Sequence, residues 1–225
     1  MNSRKITLVV ADDHTIVRRG LVSLLSLNLT LDVIGEAADG RAAVELAENL
    51  DPDVVLMDIG MPVLNGFEAT RQIRKKSPHI KILILSAFDN DEYIVEVVRS
   101  GANGYLLKNT TADELYDAIR TVHSGRQFFG ASVSHVLLEE YLKNGTAVGE
   151  NTASERPYSP LTTREREILQ LIAEGVSHVN VAEQLHISVR TVDTHCNNIM
   201  KKLDIHDRSG LVTYAIKNGI VILPR

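Results

Sequence analysis

Two patterns of apolar residues alternate along the first half of the chain. Unbroken apolar runs, too short for a helix and without two-residue alternation, read as strands buried on both faces of a parallel sheet. The clearest is DVVLMDIGMP, Asp53 to Pro62, where Val54, Val55, Leu56 and Met57 run into the carboxylate of Asp58 and Met61-Pro62 then bars further strand pairing. ITLVVADDH begins a strand near Lys5 and ends it on Asp12 and Asp13; KILILSAF ends on Ser86; GANGYLLKN places Lys108 after Tyr105, Leu106 and Leu107. Val33-Ile34 supplies a second strand. Between the runs, apolar residues recur three or four apart at Ile16 to Leu27, Ala42 to Leu50, Phe67 to Ile73, Tyr93 to Val98 and Leu115 to Val122, the spacing of half-buried helices. Strand and helix thus alternate five times. The fold class is α/β, a (βα)5 doubly wound parallel sheet, whose ligands bind beyond the carboxyl ends of the strands.

Four polar strand ends therefore converge on one crevice. Asp12, Asp13 and Asp58 together repel by about 4 kcal/mol per pair, for ~4 Å separations and an effective dielectric constant of ~20. Lys108 offsets part of this, and a hard divalent cation on carboxylate oxygens offsets the rest; Mg2+ suits few protein ligands and keeps waters that a phosphate can displace. A carboxylate beside such a metal can attack phosphorus and form an acyl phosphate, with Lys108 and the Ser86 hydroxyl on the phosphoryl oxygens. Simpler roles exist for each residue alone. Asp12 or Asp13 could cap the following helix, Ser86 could cap the helix after Asp89, and Lys108 could be a solvated surface lysine. Their coincidence at successive ends of one sheet favours the shared site. His14 could be a metal ligand or simply start a helix.

VVADDH, LMDIGMPVLNG, LSA and GYLLK, in this order and spacing, resemble the receiver domain of two-component response regulators over about residues 5 to 124. The resemblance implies that Asp58 is the phosphoacceptor, that Asp13, Asp58 and the Gly60 carbonyl ligate magnesium, and that Asp12 acts on it through water. It makes Ser86 the switch hydroxyl, Lys108 the phosphate partner and Tyr105 an aromatic that reorients with Ser86, although Tyr105 could as easily be a fixed, half-buried ring.

The totals bound the rest. At 225 residues there is room for two ordinary domains, and an apolar fraction of 44% is that of a globular protein. No run of 18 or more apolar residues exists, so no membrane partner is expected. Met1 to Lys5 lead straight into a strand, which argues against a signal peptide. Cys196 is the only cysteine, which excludes an internal disulfide and fits a cytoplasmic protein. Residues 1 to 124 carry 13 Lys+Arg against 18 Asp+Glu, whereas residues 161 to 225 carry 8 against 7. Residues 125 to 160 form a linker, with a short helix expected over Ala131 to Lys143 (Val133, Val136, Leu137, Tyr141) and a Gly/Ser/Thr/Pro-rich hinge over Gly145 to Pro160.

The last part, 161 to 225, is helical by pattern. Its first helix starts at Thr163 as N-cap, with Arg166 or Glu167 near the third position, repeats apolar residues at Ile168, Leu169, Leu171 and Ile172, and stops at Gly175. A short helix at about Val179 to Leu185, a turn, a longer helix from about Val189 to Leu203 and a last one from Arg208 to Asn218 follow. Two helices across a tight turn, braced on either side, make a helix-turn-helix unit.

LTTREREILQLIAEG, VAEQLHISVRTVDTH and NIMKKL resemble the four-helix DNA-binding domain of the LuxR type over residues 161 to 220, and the whole chain resembles a NarL/FixJ-type response regulator. That resemblance places Asp193, Thr194 and Asn197 toward bases, Arg190, Thr191, Lys201 and Lys202 toward phosphates, and a dimer contact around Leu211, Val212 and Ala215. It implies a sensor histidine kinase as donor, double-stranded DNA as target and a homodimer formed on phosphorylation. Three places depart from the pattern, five residues in all. Many relatives are basic at position 193, have Asn-Lys-Glu where His178-Val179-Asn180 stands, and carry arginine in place of Cys196. An aspartate facing the groove accepts from cytosine N4 but repels phosphates, so weak nonspecific DNA binding is expected. Lys201 and Lys202 could also be a solvated helix end, and His195 suits a packing or phosphate contact better than a metal.

Two other classes of function compete with this one. A haloacid-dehalogenase-like phosphatase would use Asp58 as nucleophile but wants a second acid two residues on, where Gly60 stands; enzymatic turnover is not expected. A receiver that controls a protein-binding helical domain is the other. No GxxxxGK loop for nucleotide is present, so the phosphoryl group must come from another protein or a small donor.

Overall fold

The computed structural model describes residues 4–87, 91–129 and 160–221. The helix expected over Ala131 to Lys143 and the hinge before Pro160 lie outside these. The chain divides into two compact units, 1–145 and 146–225.

In the first unit, β1 (Ile6–Ala11), β2 (Leu31–Ala37), β3 (Val54–Asp58), β4 (Lys81–Ser86) and β5 (Gly104–Leu107) pair in parallel in the order β2-β1-β3-β4-β5. The order reverses between β1 and β3, which opens the crevice where such sheets bind ligands. Helices α1 (Thr15–Ser26), α2 (Gly40–Leu50), α3 (Gly66–Lys76), α4 (Asp91–Ser100) and α5 (Ala112–His123) connect the strands. On one face Leu8, Val10, Val54, Leu56, Leu83 and Leu85 pack with Leu115, Ala118, Ile119 and Val122 of α5 and Leu25 of α1. By the two-residue alternation Val9, Val55, Met57 and Ile84, also buried, point to the opposite face. Burial on both faces explains why these strands read as continuous apolar runs.

The second strand is longer than Val33-Ile34 suggests. Its runs of apolar residues are broken by Asp32, Gly35 and Glu36, which an edge strand tolerates because one side of it meets solvent. Helix starts also lie upstream of the first apolar residue wherever a side chain caps them. Asp39 accepts from Ala42 N at 2.8 Å, Asn65 from Glu68 N at 2.9 Å and Thr111 from Glu114 N at 3.3 Å. The chain does not leave the sheet at 124, since Phe128 O accepts from Tyr105 N at 2.9 Å and Phe128 N donates to Asn103 O at 3.0 Å.

The second unit holds α6 (Thr163–Ala173), α7 (His178–Gln184), α8 (Val189–Leu203) and α9 (Arg208–Lys217) around one core that includes Ile168, Leu169, Ile172, Val181, Val192, Ile199, Leu211 and Ala215. The N-cap of α6 is Thr162, not Thr163. Its hydroxyl accepts from Glu165 N at 3.3 Å while Glu165 Oε2 accepts from Thr162 N at 2.7 Å, a reciprocal capping box one residue earlier than the apolar spacing indicated.

In the loop after β3, Val63 adopts φ 68, the left-handed region that a β-branched side chain resists. Replacing Val63 by Asn, which enters that region readily, is expected to stabilise the receiver unit by about 1 kcal/mol; urea denaturation of the two proteins measures it.

Candidate functional site

The crevice is assembled by topology. β1 delivers Asp12 and Asp13, β3 delivers Asp58, and the end of β5 delivers Lys108, whose N–H also donates to Ser86 O at 2.7 Å, holding the ends of β4 and β5 together. Lys108 Nζ lies 2.7 Å from Asp12 Oδ2 and 3.0 Å from Asp58 Oδ1. Asp12 is 1% and Asp58 5% exposed, so both charges stand in a poorly solvated site. Burial raises the Asp58 carboxyl above its ordinary value; Lys108 opposes this and Asp12 reinforces it. Burial works against the Lys108 ammonium, yet Asp58 and Asp12 outweigh it and hold the lysine above its ordinary value.

Several local contacts pin the ligands. Asp12 Oδ1 accepts from His14 N at 2.8 Å and its carbonyl takes Arg18 Nη1 at 2.6 Å. Helix α1 is capped by neither aspartate; His14 holds the N-cap position without a side-chain bond. Ser86 is buried at the end of β4 and α4 begins only at Asp91, so Ser86 is not a helix cap. It lines, with Ala87, Leu107, Lys108 and Asn109, a recess of about 370 Å3. Tyr105 is buried rather than half-buried. Gly66 permits a close approach: a Cβ there would meet the Asp58 carbonyl oxygen at 2.0 Å. Any side chain at Gly66 therefore displaces Asp58 itself.

Oxygen or nitrogen atoms of Asp12, Asp13, His14 and Asp58 all lie within 4.8 Å of one another. Asp12 Oδ2 and Asp13 Oδ1 are cut off from solvent, and each has one nitrogen beside it, Lys108 Nζ at 2.7 Å from Asp12 Oδ2 and His14 Nδ1 at 2.7 Å from Asp13 Oδ1. Such a donor set fits a hard divalent cation.

In the helical unit, one face of α8 (Val192, Cys196, Ile199) is buried and the opposite face carries Arg190, Asp193, Thr194, Asn197 and Lys201, all exposed and three or four residues apart. Thr191, which resemblance assigned to a phosphate, takes part in the start of α8 through Ser188, its N–H donating at 3.1 Å. Lys202 donates to Glu165 Oε2 at 2.7 Å and so ties α8 to the capping box of α6. Burial would raise Glu165, but the Lys202 and Thr162 hydrogen bonds win and hold its carboxyl below the ordinary value. Leu211 and Ala215, expected at a dimer contact, are 3% and 0% exposed inside this unit's own core, so of that set only Val212 has surface to offer.

Sequence reasoning missed Arg18, Glu165 and His178. Arg18 had no signal beyond helical spacing, whereas Glu165 stands three residues after Thr162 in the T-x-x-E pattern of a capping box, which placing the cap at Thr163 passed over. His178 was seen as a departure, but its partner, Asp193, could not be known from spacing in the chain; their side chains meet at 2.6 Å.

An acidic crevice at the switch point of a five-stranded parallel sheet, with a helix-turn-helix unit on the same chain, defines a regulator of transcription governed by a receiver. Comparison with known proteins agrees. The model of the response regulator receiver domain matches residues 8–120, and that of the luxR family of bacterial regulatory proteins matches residues 159–215. The chain is 39% identical over 229 residues to the transcriptional regulatory protein DegU of Brevibacillus brevis, covering 98% of this chain and 97% of that one. It is 40% identical over 215 residues to the oxygen regulatory protein NreC of Staphylococcus aureus, covering 95% and 98%. Among solved structures, an RcsB–DNA complex aligns with a TM-score of 0.57 at 26% identity over 96% of this chain and 99% of that one. The RcsB response regulator of Salmonella typhimurium aligns at 0.55 and 26%, over 94% and 98%. The protein belongs to the NarL/FixJ-type response regulators, a receiver joined to a LuxR-type DNA-binding domain. Among the described residues no helix is long and apolar enough to cross a membrane.

Because the folded Asp58 carboxyl titrates above its unfolded value, its contribution to stability is full below the unfolded pKa and is lost as pH rises through the folded one. In metal-free buffer, Asp58→Asn is therefore expected to melt higher than wild type at pH 7, with the gap closing toward pH 3 to 4. Thermal melts in a chelator across that range measure it.

Proposed function

We propose that Asp58 accepts a phosphoryl group from a sensor histidine kinase in the cytoplasm and that the acyl phosphate promotes homodimerisation and binding to double-stranded DNA. The observation that carries this is the pairing of buried Asp12 and Asp58 with Lys108 at 2.7 and 3.0 Å, a charge arrangement that leaves a carboxylate nucleophile beside a fixed cation. An Asp58 oxygen attacks phosphorus, the new P–O bond replaces the bond to the donor nitrogen, and the donor leaves as the free histidine. Asp12, Asp13, Asp58 and the Gly60 carbonyl would hold magnesium. When bound, it neutralises the carboxylates and the incoming phosphoryl oxygens.

Lys108 and the Ser86 hydroxyl then take the phosphoryl oxygens. Drawing Ser86 toward the dianion vacates space near β4 and β5, into which Tyr105 turns; the pair is the two-state element that a new charge biases. In the helical unit, Asp193, Thr194 and Asn197 meet base edges, while Arg190, Thr191 and Lys201 meet phosphates. The exposed stripe on α8 supports that assignment, as does the likeness to a protein solved with DNA. Lys202 reaches a phosphate only by leaving Glu165. Val212 and the outer side of α9 offer the dimer contact.

Treatment with a small phosphodonor and Mg2+ is expected to raise the affinity of wild-type protein for a two-fold-symmetric duplex selected from a random pool, and to leave Asp58→Asn unchanged. A variant that still gained affinity would rule out Asp58 as the acceptor. Lys201→Ala is expected to lower the slope of log affinity against log salt by about one. Lys202→Ala should instead destabilise the helical unit by roughly 1 to 3 kcal/mol, because it leaves the buried Glu165 carboxylate without its cation; fluorescence anisotropy across a salt series and thermal melts separate the two.

A further inference from the structure

Three of the five positions at which this chain departs from the family pattern, 178, 193 and 196, are side by side in the folded helical unit. His178 is the first residue of α7; Asp193 and Cys196 stand one turn apart on α8. His178 Nδ1 lies 2.6 Å from Asp193 Oδ1, and His178 Nε2 lies 3.9 Å from Cys196 Sγ. Burial, with help from the Asp193 charge, pushes the Cys196 thiol up. One ring tautomer satisfies both contacts: S–H to Nε2, and Nδ1–H to the carboxylate. The row sits beside a hollow of about 440 Å3.

The consequence lies at Asp193. An unanchored aspartate on this face would sample several rotamers and repel the DNA backbone. Here one oxygen is held by His178, while the side chain remains 53% exposed on the stripe it shares with Thr194 and Asn197. A fixed carboxylate loses little freedom on binding and presents a ready acceptor. In the major groove an acceptor of this kind pairs with the cytosine N4 amino group. Guanine offers two acceptors and thymine one, which repel it, and adenine sets its N7 acceptor beside its amino group.

We propose that His178 is a positioning residue that turns Asp193 into a reader of cytosine, so that the DNA sites preferred by this protein carry a C·G pair where Asp193 meets each half-site. The proposal rests on α8 being the recognition helix. Asp193 supplies the contact; His178 acts through it.

The test is selection of binding sites from a random duplex pool by the full chain after phosphodonor treatment, followed by affinity measurements on the selected site with its C·G pair reversed. For wild type the reversal is expected to weaken binding about ten-fold or more. Asp193→Asn should shift the preferred base to adenine, which an amide can meet at both N6 and N7. His178→Ala should shrink the ratio between the two sites several-fold, and His178→Gln, whose amide can still donate to Asp193, should restore it. Circular dichroism confirms that each variant is folded. A ratio unchanged in His178→Ala, with both sites weakened alike, means that His178 only supports the fold and overturns the proposal. A selected site with no base preference traceable to Asp193 overturns it as well. Failure of the phosphorylated wild type to retain any duplex would instead remove α8 as a recognition helix, and the proposal with it.

Discussion

Two buried carboxylates held by one ammonium form the contact on which the receiver unit depends. Asp12 and Asp58 repel across the mouth of the sheet, and neither is solvated well enough to bear its charge alone. Lys108 bridges them, and reaches them only because β5 runs parallel to β4 with its end joined to Ser86. The arrangement remains poised rather than relaxed: burial disfavours the charges on both Asp58 and Lys108, and only at Lys108 do the opposite charges outweigh it. A site so balanced responds strongly to any added charge, which is what a switch requires.

The helical unit is organised around a carboxylate as well, but to a different end. Glu165 closes the capping box of α6 and binds Lys202 of α8. That ties the two longest helices of the unit together from within, and it holds the Lys202 ammonium in that contact. The same helix carries Asp193, bonded to His178 of α7. One ion pair and one histidine–carboxylate contact thus fix α8 against α6 and α7, and leave Arg190, Thr194, Asn197 and Lys201 exposed on its outer side.

Strand interiors were legible because burial on both faces leaves unbroken apolar runs, and the site residues were legible because each stands where such a run stops. The edge strand was under-read for the opposite reason: Asp32, Gly35 and Glu36 interrupt its pattern where solvent allows them. Helix starts in the receiver unit were read late, since the capping residue and first turn lie ahead of the first apolar position, whereas those at Val189 and Arg208 were read in place. Thr162 rather than Thr163 caps α6 because the reciprocal bond requires Glu165 three residues on. Leu211 and Ala215 illustrate another limit. Apolar spacing identifies a buried face of α9 but does not say whether its own domain or a second copy covers it, and here the domain's core does.

The sequence by itself determined the alternation of strands and helices and the polar residue at each strand end, whereas the outward residues of α8 came only from family resemblance. Both are local features, because a strand buried on both faces is an unbroken apolar run that ends where the core ends, and apolar residues on a helix recur three or four apart. Only the tertiary structure decided the partners. The strand order set Asp12 beside Asp58, a close approach at Gly66 set the position of the Asp58 carbonyl, and the packing of α7 on α8 brought His178 to Asp193. Those contacts join residues 46, 8 and 15 positions apart in the chain. Pairings of that kind depend on which elements pack together, and no repeat in the sequence encodes them.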